Sequence, residues 1–190
     1  MARDLLGKTI TRQLPHERVS GRIVETEAYR GEDDPGSHAS RGPTQRNRVM
    51  FGPGGFLYVY FTYGMHFCMN VVTEGGGASG AVLIRALEPI GGIETMNRLR
   101  GGREIRELCN GPAKLCQALG VTRELNGLDL TGDMMWISDD GFRPGAIELS
   151  SRIGISAGRD KPWRFFVAGS PFVSPGKASP VRTHPISRRR

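Results

Sequence analysis

The chain has 190 residues, 38% of them hydrophobic, a net charge of +7 and a pI of about 9.8. It is long enough for one buried core, and it shows neither a signal-peptide pattern nor an apolar run of the roughly 20 residues that span a bilayer, so we expect a soluble, intracellular protein. Its three cysteines lack close pairing, which argues against a disulfide framework and a zinc or iron–sulfur site, and its arginine-rich charge favours a polyanion as partner.

The N-terminal part predicts a short helix and two strands. Residues 2–6 are typical of a helix, and residues 8–14 and 19–29 are typical of strands joined by a polar turn. Strict alternation along the second strand places four side chains on one face, namely Ile23, Glu25, Glu27 and Tyr29. That face would present two carboxylates and a phenol.

An irregular loop and an aromatic hairpin follow. Residues 30–55 are rich in Gly, Pro, Ser, Asp and Arg, which predicts a long functional loop with a helical turn at 45–50. Residues 56–74 form two aromatic runs that meet at Tyr63 and Gly64, which indicates a hairpin with aromatics at its tip. In a basic chain these aromatics suit the stacking of bases, and the alternative is that they fill a sheet core.

The remaining pattern predicts mixed α and β structure. A buried strand at 81–87 is interrupted by Arg85 and forms a three-stranded meander with the hairpin. Helices are expected at 90–100 and 112–119, and short strands at 134–138 and 164–167. We therefore expect an α+β fold with a single domain over residues 1–174 and a mobile basic tail over residues 175–190.

Glu25 and Glu27 are the first candidates for chemistry. Carboxylates flanked by apolar residues on a strand belong either to a solvated outer face or to a general acid or base on a rigid element, where exclusion of water raises the pKa. Arg85 favours the second interpretation, because a cation in an otherwise apolar strand could keep a carboxylate charged and orient a water.

Several other residues could line a pocket or contact nucleic acid. His38 lies in the irregular loop, and Asn70 lies on the return strand of the hairpin, where an asparagine suits the reading of base edges. Tyr63 could enter a duplex as a wedge or fold back onto the sheet. The segment 44–48 carries two guanidiniums suited to phosphates, although such a run is more often a solvated loop.

Eight segments together resemble the alkyladenine (3-methyladenine) DNA glycosylase family. They are Gly21–Tyr29, Arg46–Phe51, Leu57–Tyr60, Tyr63–Met65, Cys68–Asn70, Leu83–Pro89, Leu108–Leu119 and Gly169–Ser174. Their order and spacing are compatible with the family from about residue 2 to residue 174, which is nearly the whole chain. The resemblance implies a curved antiparallel β-sheet with surrounding helices and a protruding aromatic β-hairpin, like a formyltransferase C-terminal domain.

The resemblance implies a monofunctional enzyme that flips a damaged purine out of duplex DNA and hydrolyses its N-glycosidic bond. The product would be an abasic site without strand cleavage, and the expected lesions are 3-methyladenine, 7-methylguanine and hypoxanthine. Glu27 would be the general base that activates water. Arg85 and the backbone carbonyl of Val173 would help to hold that water, and Glu25 would be a secondary, structural carboxylate.

The resemblance also assigns residues to the substrate and to DNA. The walls that sandwich the flipped base would be Tyr29, His38 and Tyr60. Asn70 would reject guanine through its exocyclic amine, Gly36 would donate a backbone amide, and Tyr63 would insert into the duplex. The expected contacts to the DNA backbone are Thr44, Arg46 and Met65.

The chain departs from the family pattern beside two of these assignments. Gln45 stands where the family commonly has a proline after the threonine, which affects the phosphate contacts of this loop. Phe61 and Thr62 replace residues that are often aliphatic next to the wedge, which affects how the wedge packs.

The expected partner is double-stranded DNA that contains damaged purines. No cofactor, metal or membrane contact is expected, the protein would be a monomer, and its place would be a bacterial cytoplasm near the nucleoid or, in a eukaryote, the nucleus. Two alternatives stay open. The first is a glycoside hydrolase that uses Glu25 and Glu27 as a carboxylate pair, and the second is a nucleic-acid-binding module without chemistry.

Overall fold

A computed structural model describes residues 1–62, 64–75 and 77–176. Within these residues, eight strands form one sheet and three α-helices lie beside it. The strands are β1 (Thr9–Gln13), β2 (Arg18–Tyr29), β3 (Leu57–Thr62), β4 (His66–Val72), β5 (Ala81–Gly91), β6 (Met135–Ser138), β7 (Ile147–Ser150) and β8 (Arg164–Val167). The helices are α1 (Ile93–Leu99), α2 (Ile105–Leu108) and α3 (Pro112–Ala118), and 3₁₀ turns span Arg48–Phe51 and Arg123–Leu125.

The strands are antiparallel and follow the order β3-β4-β5-β2-β1-β6. β8 pairs with the second half of β2 and also with β7. This arrangement confirms the predicted α+β class, the single domain with a curved antiparallel sheet, and the meander of β3, β4 and β5. β2 is therefore the central strand, and its second half is paired on both sides.

The main hydrophobic core lies between the sheet and the helices. α3 packs on β4 and β5, while α1 and α2 pack on α3. Leu57, Val59, Met69 and Val71 of the hairpin face this core. The sheet-core interpretation is therefore correct for this face of β3 and β4. On the other face Tyr58 belongs to a second, smaller buried cluster, and Tyr60 packs against it.

β2 and β5 depart from regular pairing beside the two glutamates. The ladder skips Val24 on β2 and Arg85 on β5. Ile23 before the skip and Ala28 after it both pack in the main core, although unbroken alternation would place them on opposite faces. The prediction that Ile23 shares a face with the glutamates is therefore wrong, because the extra residue of a β-bulge reverses the alternation.

Other local predictions differ from the structure in smaller ways. Residues 2–6 form turns instead of a helix, because so short a segment gains too few backbone hydrogen bonds to offset nucleation. α2 and β7 were not predicted, since each has only four residues and no clear periodicity. The expected tail lies outside the described residues from position 177 onward. In the described part of the chain, no helix is long and apolar enough to cross a bilayer.

Candidate active site

A cavity of about 440 Å³ opens beside the second half of β2. This volume lies within the range of about 300–1,000 Å³ that is usual for small-molecule sites. Its lining combines aromatic and polar side chains with the segment that follows β7. The lining includes Tyr29, Gly36, His38, Tyr58, Tyr60, Cys68, Asn70, Leu83, Arg85 and residues 153–156. The fold thus brings six of the predicted site residues to one cavity.

Glu27 lies directly behind this lining and is fully buried. Its Oε1 accepts a hydrogen bond from the backbone N–H of Ile153 at 2.7 Å. Its Oε2 accepts hydrogen bonds from the hydroxyl of Tyr29 at 2.8 Å and from Nη1 of Arg85 at 3.3 Å. Burial raises the pKa of Glu27 above its ordinary value, although Arg85 and the two hydrogen bonds act against the shift. A buried carboxyl group with a raised pKa is a candidate general base or acid.

Glu25 is also fully buried, but its oxygens are occupied by other partners. They accept hydrogen bonds from Nε of Arg85 at 3.1 Å and from Nε of Arg164 at 2.6 Å. The backbone N–H of Ser174 and its hydroxyl donate to the same carboxylate at 2.7 and 2.9 Å. Arg85 therefore bridges the two glutamates, and Glu25 ties three distant segments of the chain together.

His38 and the two tyrosines of β3 form an aromatic wall. The ring centroids of His38 and Tyr60 are 4.6 Å apart in an edge-to-face contact, and those of Tyr58 and Tyr60 are 5.6 Å apart. Nδ1 of His38 lies 3.1 Å from the hydroxyl of Tyr58. Burial and the nearby Arg46 lower the pKa of His38, so the imidazole is neutral at neutral pH.

Two smaller groups complete the lining. Asn70 is buried, and its Nδ2 donates to the backbone carbonyl of Tyr58 at 3.1 Å, which fixes its amide at the cavity wall. Gly36 lines the cavity, and its backbone N–H donates to Oδ1 of Asp34 at 3.1 Å. The backbone amide of Gly36, which was expected to donate to the substrate, thus donates to a side chain of the protein instead.

The other predicted residues that the structure describes lie outside the cavity lining. Val173 precedes the Ser174 that binds Glu25. Thr44 donates through its N–H and hydroxyl to Oδ1 of Asn47 at 2.5 and 2.9 Å, which stabilises the loop. Arg46 donates to the carbonyl of Phe61 at 3.1 Å. The side chain of Met65 at the hairpin turn is 70% exposed, whereas Tyr63 lies outside the described residues.

Sequence reasoning missed three contributors to the site. Tyr58 could have been found, because it alternates with Tyr60 on β3. The Ile153 amide had no sequence signal, since any residue supplies a backbone N–H. The pairing of Asp34 with Arg152 joins positions 118 residues apart, which no local pattern reveals.

The described residues give no indication of a metal centre. In the ranges 1–62, 64–75 and 77–176, no group of three or more His, Cys, Asp or Glu side chains could hold a metal ion.

A cavity lined by aromatic side chains, with a buried carboxylate directly behind it, suits a hydrolase that acts on a flat aromatic group. The sequence comparisons define that hydrolase. The family model described as methylpurine-DNA glycosylase (MPG) matches residues 1–171, so the chain belongs to this family of DNA N-glycosylases, hydrolases of base excision repair.

Similar proteins from distant organisms carry names of the same kind. A protein of Carboxydothermus hydrogenoformans is 51% identical over 177 residues, which cover 92% of each chain. A protein of Methanocella arvoryzae is 53% identical, and the aligned part covers 92% of this chain and 89% of that protein. A protein of Chlorobaculum tepidum is 50% identical, and the aligned part covers 95% of this chain and 87% of that protein. All three are named as candidate 3-methyladenine DNA glycosylases.

Proposed function

We propose that the protein is a monofunctional DNA glycosylase that removes alkylated or deaminated purines from duplex DNA. The lesions would be 3-methyladenine, 7-methylguanine and hypoxanthine, and the product would be an abasic site in an unbroken strand. The observation that carries this proposal is the buried Glu27 behind an aromatic cavity, in a chain of the methylpurine-DNA glycosylase family.

Glu27 would act as the general base for a water that attacks the sugar carbon of the N-glycosidic bond. Arg85 supports this role, because it lines the cavity and donates to the carboxylate, so a water held there would contact both groups. Glu25 keeps a structural role in this proposal. Its carboxylate accepts four hydrogen bonds from the protein, which argues against a glycoside hydrolase with a working carboxylate pair.

The flipped base would be enclosed by Tyr29, His38 and Tyr60. Alkylation of a ring nitrogen makes a purine positively charged or electron-poor, which strengthens its stacking on electron-rich rings. A neutral His38 suits this ligand, because an imidazolium would repel a cationic base. Asn70, held at the wall by its bond to Tyr58, would reject guanine through its exocyclic amine.

The hairpin would hold the DNA while the base is extruded. Its exposed apolar side chains, Phe61 and Met65, flank Tyr63, and Arg46 binds the backbone of the same hairpin. An apolar wedge at this place could fill the space that the flipped nucleotide leaves, while arginines contact phosphates. We also propose that the hairpin protrudes from the sheet and that the fold is like a formyltransferase C-terminal domain. The protein would be a monomer with its domain over residues 1–174.

We expect that replacing Tyr63 by serine weakens binding to a hypoxanthine-containing duplex and slows excision without loss of the fold. The wedge would no longer occupy the gap in the base stack, so the flipped state would be less populated. Duplex binding and single-turnover excision measure the effect. Replacing Phe142, an exposed aromatic that packs against Arg22 outside the cavity lining, provides the control. Unchanged activity of the Tyr63 variant would remove the wedge role.

We expect the rate of hypoxanthine excision to rise with pH along an acid limb whose pKa lies above 4.5, the ordinary value for a glutamate. Burial raises the pKa of Glu27, and only its deprotonated form can accept the proton of water, so activity appears as the pH rises through that shifted pKa. Single-turnover rates across pH measure the limb. A rate that stays constant down to pH 4 would exclude Glu27 as the base.

A duplex with one hypoxanthine distinguishes the proposal from its alternatives. The proposed enzyme releases free base and leaves a strand that breaks only after alkali treatment. A binding module would retain the duplex without releasing base, and a glycosidase acting on sugar polymers would leave the duplex intact. Excision across a small panel of the three lesions then establishes their order.

A further inference from the structure

Arg152 is the largest of the fully buried side chains, although it carries a charge. Its Nη1 and Nη2 donate to the two carboxylate oxygens of Asp34 at 2.6 and 2.7 Å. Nη1 also donates to the carbonyl of Ala28 at 3.0 Å. Burial alone would raise the pKa of Asp34, but hydrogen bonds from Arg152 and from backbone amides outweigh it and hold the pKa below its ordinary value.

The backbone around this guanidinium leaves space for it. A Cβ atom at Gly36 would lie 2.8 Å from Nη2 of Arg152, and one at Gly158 would lie 2.7 Å from the same atom. Both distances are shorter than a non-bonded contact allows. The two glycines therefore fit the arginine closely, and a side chain at either position would displace it.

The pair joins two walls of the cavity. Asp34 belongs to the loop that carries Gly36 and His38 into the lining. Arg152 precedes Ile153, which lines the cavity and donates its N–H to Glu27. A shift of the ion pair would therefore move both the aromatic side of the cavity and the amide that holds the carboxylate.

The guanidinium also stacks on a residue of the site. Cζ of Arg152 lies 4.6 Å from the ring centroid of Tyr29 and 5.1 Å from that of Trp163. The hydroxyl of Tyr29 is bonded to Glu27, so the ring contact and the hydroxyl contact together fix this phenol.

We propose that the bidentate pair of Arg152 and Asp34 is a positioning device for base excision. It sets the place of Tyr29 and of the Ile153 amide, and through them the orientation of the Glu27 carboxylate relative to the flipped base. The proposal rests on the proposed assignment of this cavity as the base pocket. Planar, bidentate geometry is the essential property, and lysine in place of Arg152 cannot supply it.

The test compares Arg152→Lys with the parent in single-turnover excision of hypoxanthine at a range of enzyme concentrations. We expect the saturating rate to fall about 10-fold or more, since misplacement by about 1 Å can cost about 100-fold. The affinity for undamaged duplex, in which no base occupies the cavity, should stay unchanged, because both members of the pair are buried. Rates are taken per folded molecule, below the melting temperature of every variant.

Arg22→Lys is the matched control. Arg22 also forms a bidentate pair, with Asp140 at 2.9 and 3.0 Å, donates to the carbonyl of Gly7 at 2.9 Å and stacks on Phe142 at 4.0 Å. Like Arg152 it joins distant segments, but unlike Arg152 it neither precedes a residue of the cavity lining nor stacks on one. We expect Arg22→Lys to excise at the parent rate, whatever its effect on melting temperature.

Two outcomes would overturn the proposal. If Arg152→Lys melts earlier but excises at the parent rate, the pair serves stability alone. If Arg152→Lys does not fold, Asp34→Asn is measured instead. A saturating rate like that of the parent for this variant would also contradict the positioning role. Glu27→Gln in the same assay distinguishes failure of the proposed function from failure of the positioning role. An active Glu27→Gln variant refutes the assignment of Glu27 as the base. An inactive Glu27→Gln variant together with a parent-like Arg152→Lys variant refutes only the positioning role.

Discussion

Replacing Glu27 by glutamine is expected to lower hypoxanthine excision by about 100- to 10,000-fold, the usual contribution of a general base. Glutamine keeps the size of the side chain and one acceptor oxygen, which can keep either the contact from Ile153 or the contact from Tyr29, so the cavity should keep its overall shape. It cannot accept the proton of water. Single-turnover excision with excess enzyme measures this loss directly.

Duplex binding by the Glu27 variant should be retained, because the side chain is fully buried and does not contact DNA. Glu148→Gln is the control, since this glutamate is exposed on β7, and it should excise at the parent rate. If Glu27→Gln releases base as fast as the parent, another group activates the water.

Replacing Arg85 by methionine is expected to have the second largest effect, on stability and activity together. Arg85 donates to both buried carboxylates, and removing one partner of a buried ion pair costs about 3–5 kcal/mol. The pKa of Glu27 should rise further, because the attraction of Arg85 acts to lower it. At neutral pH less of the base would be deprotonated, so excision should fall and recover in part as the pH rises.

Chemical denaturation and the pH profile of excision measure these two effects of the Arg85 variant. Arg12→Met is the matched control, because Arg12 is a partly buried arginine on β1 that donates to the carbonyls of Gln13 and Met134 rather than to a carboxylate. It should leave the pH profile unchanged. An Arg85→Met enzyme with the parent profile would contradict the coupling of this cation to Glu27.

The sequence predicted the elements whose signals are local and strong. The two strands β3 and β4, the buried strand β5 and the helix that begins at Pro112 each have a clear period or a Pro at the start, and the structure contains these elements. The resemblance to known glycosylases then selected cavity residues that composition alone left undecided. Tyr60 illustrates the limit of local patterns, since none of them predicts its contact with His38.

Sequence patterns did not predict the features that depend on residues far apart in the chain. The bulge at Val24 depends on how β5 pairs with β2, so alternation along one strand could not reveal it. The partners of Glu25 come from Arg164 and Ser174, which lie 139 and 149 residues away. A glutamate that looked secondary is thus the point where three segments meet, and only the folded chain shows it.

The skipped residues Val24 and Arg85 have a consequence for transplanting this chemistry. One lies on each strand, so the two irregularities cancel and normal pairing resumes beyond them. If residues 18–29 were copied into a regular strand of another scaffold with Ile23 kept in the core, alternation would turn both acids toward that core instead of toward the cavity. A designer would have to copy the skipped residue on both strands, because the direction of the two glutamates depends on this irregularity in the sheet as much as on the side chains themselves.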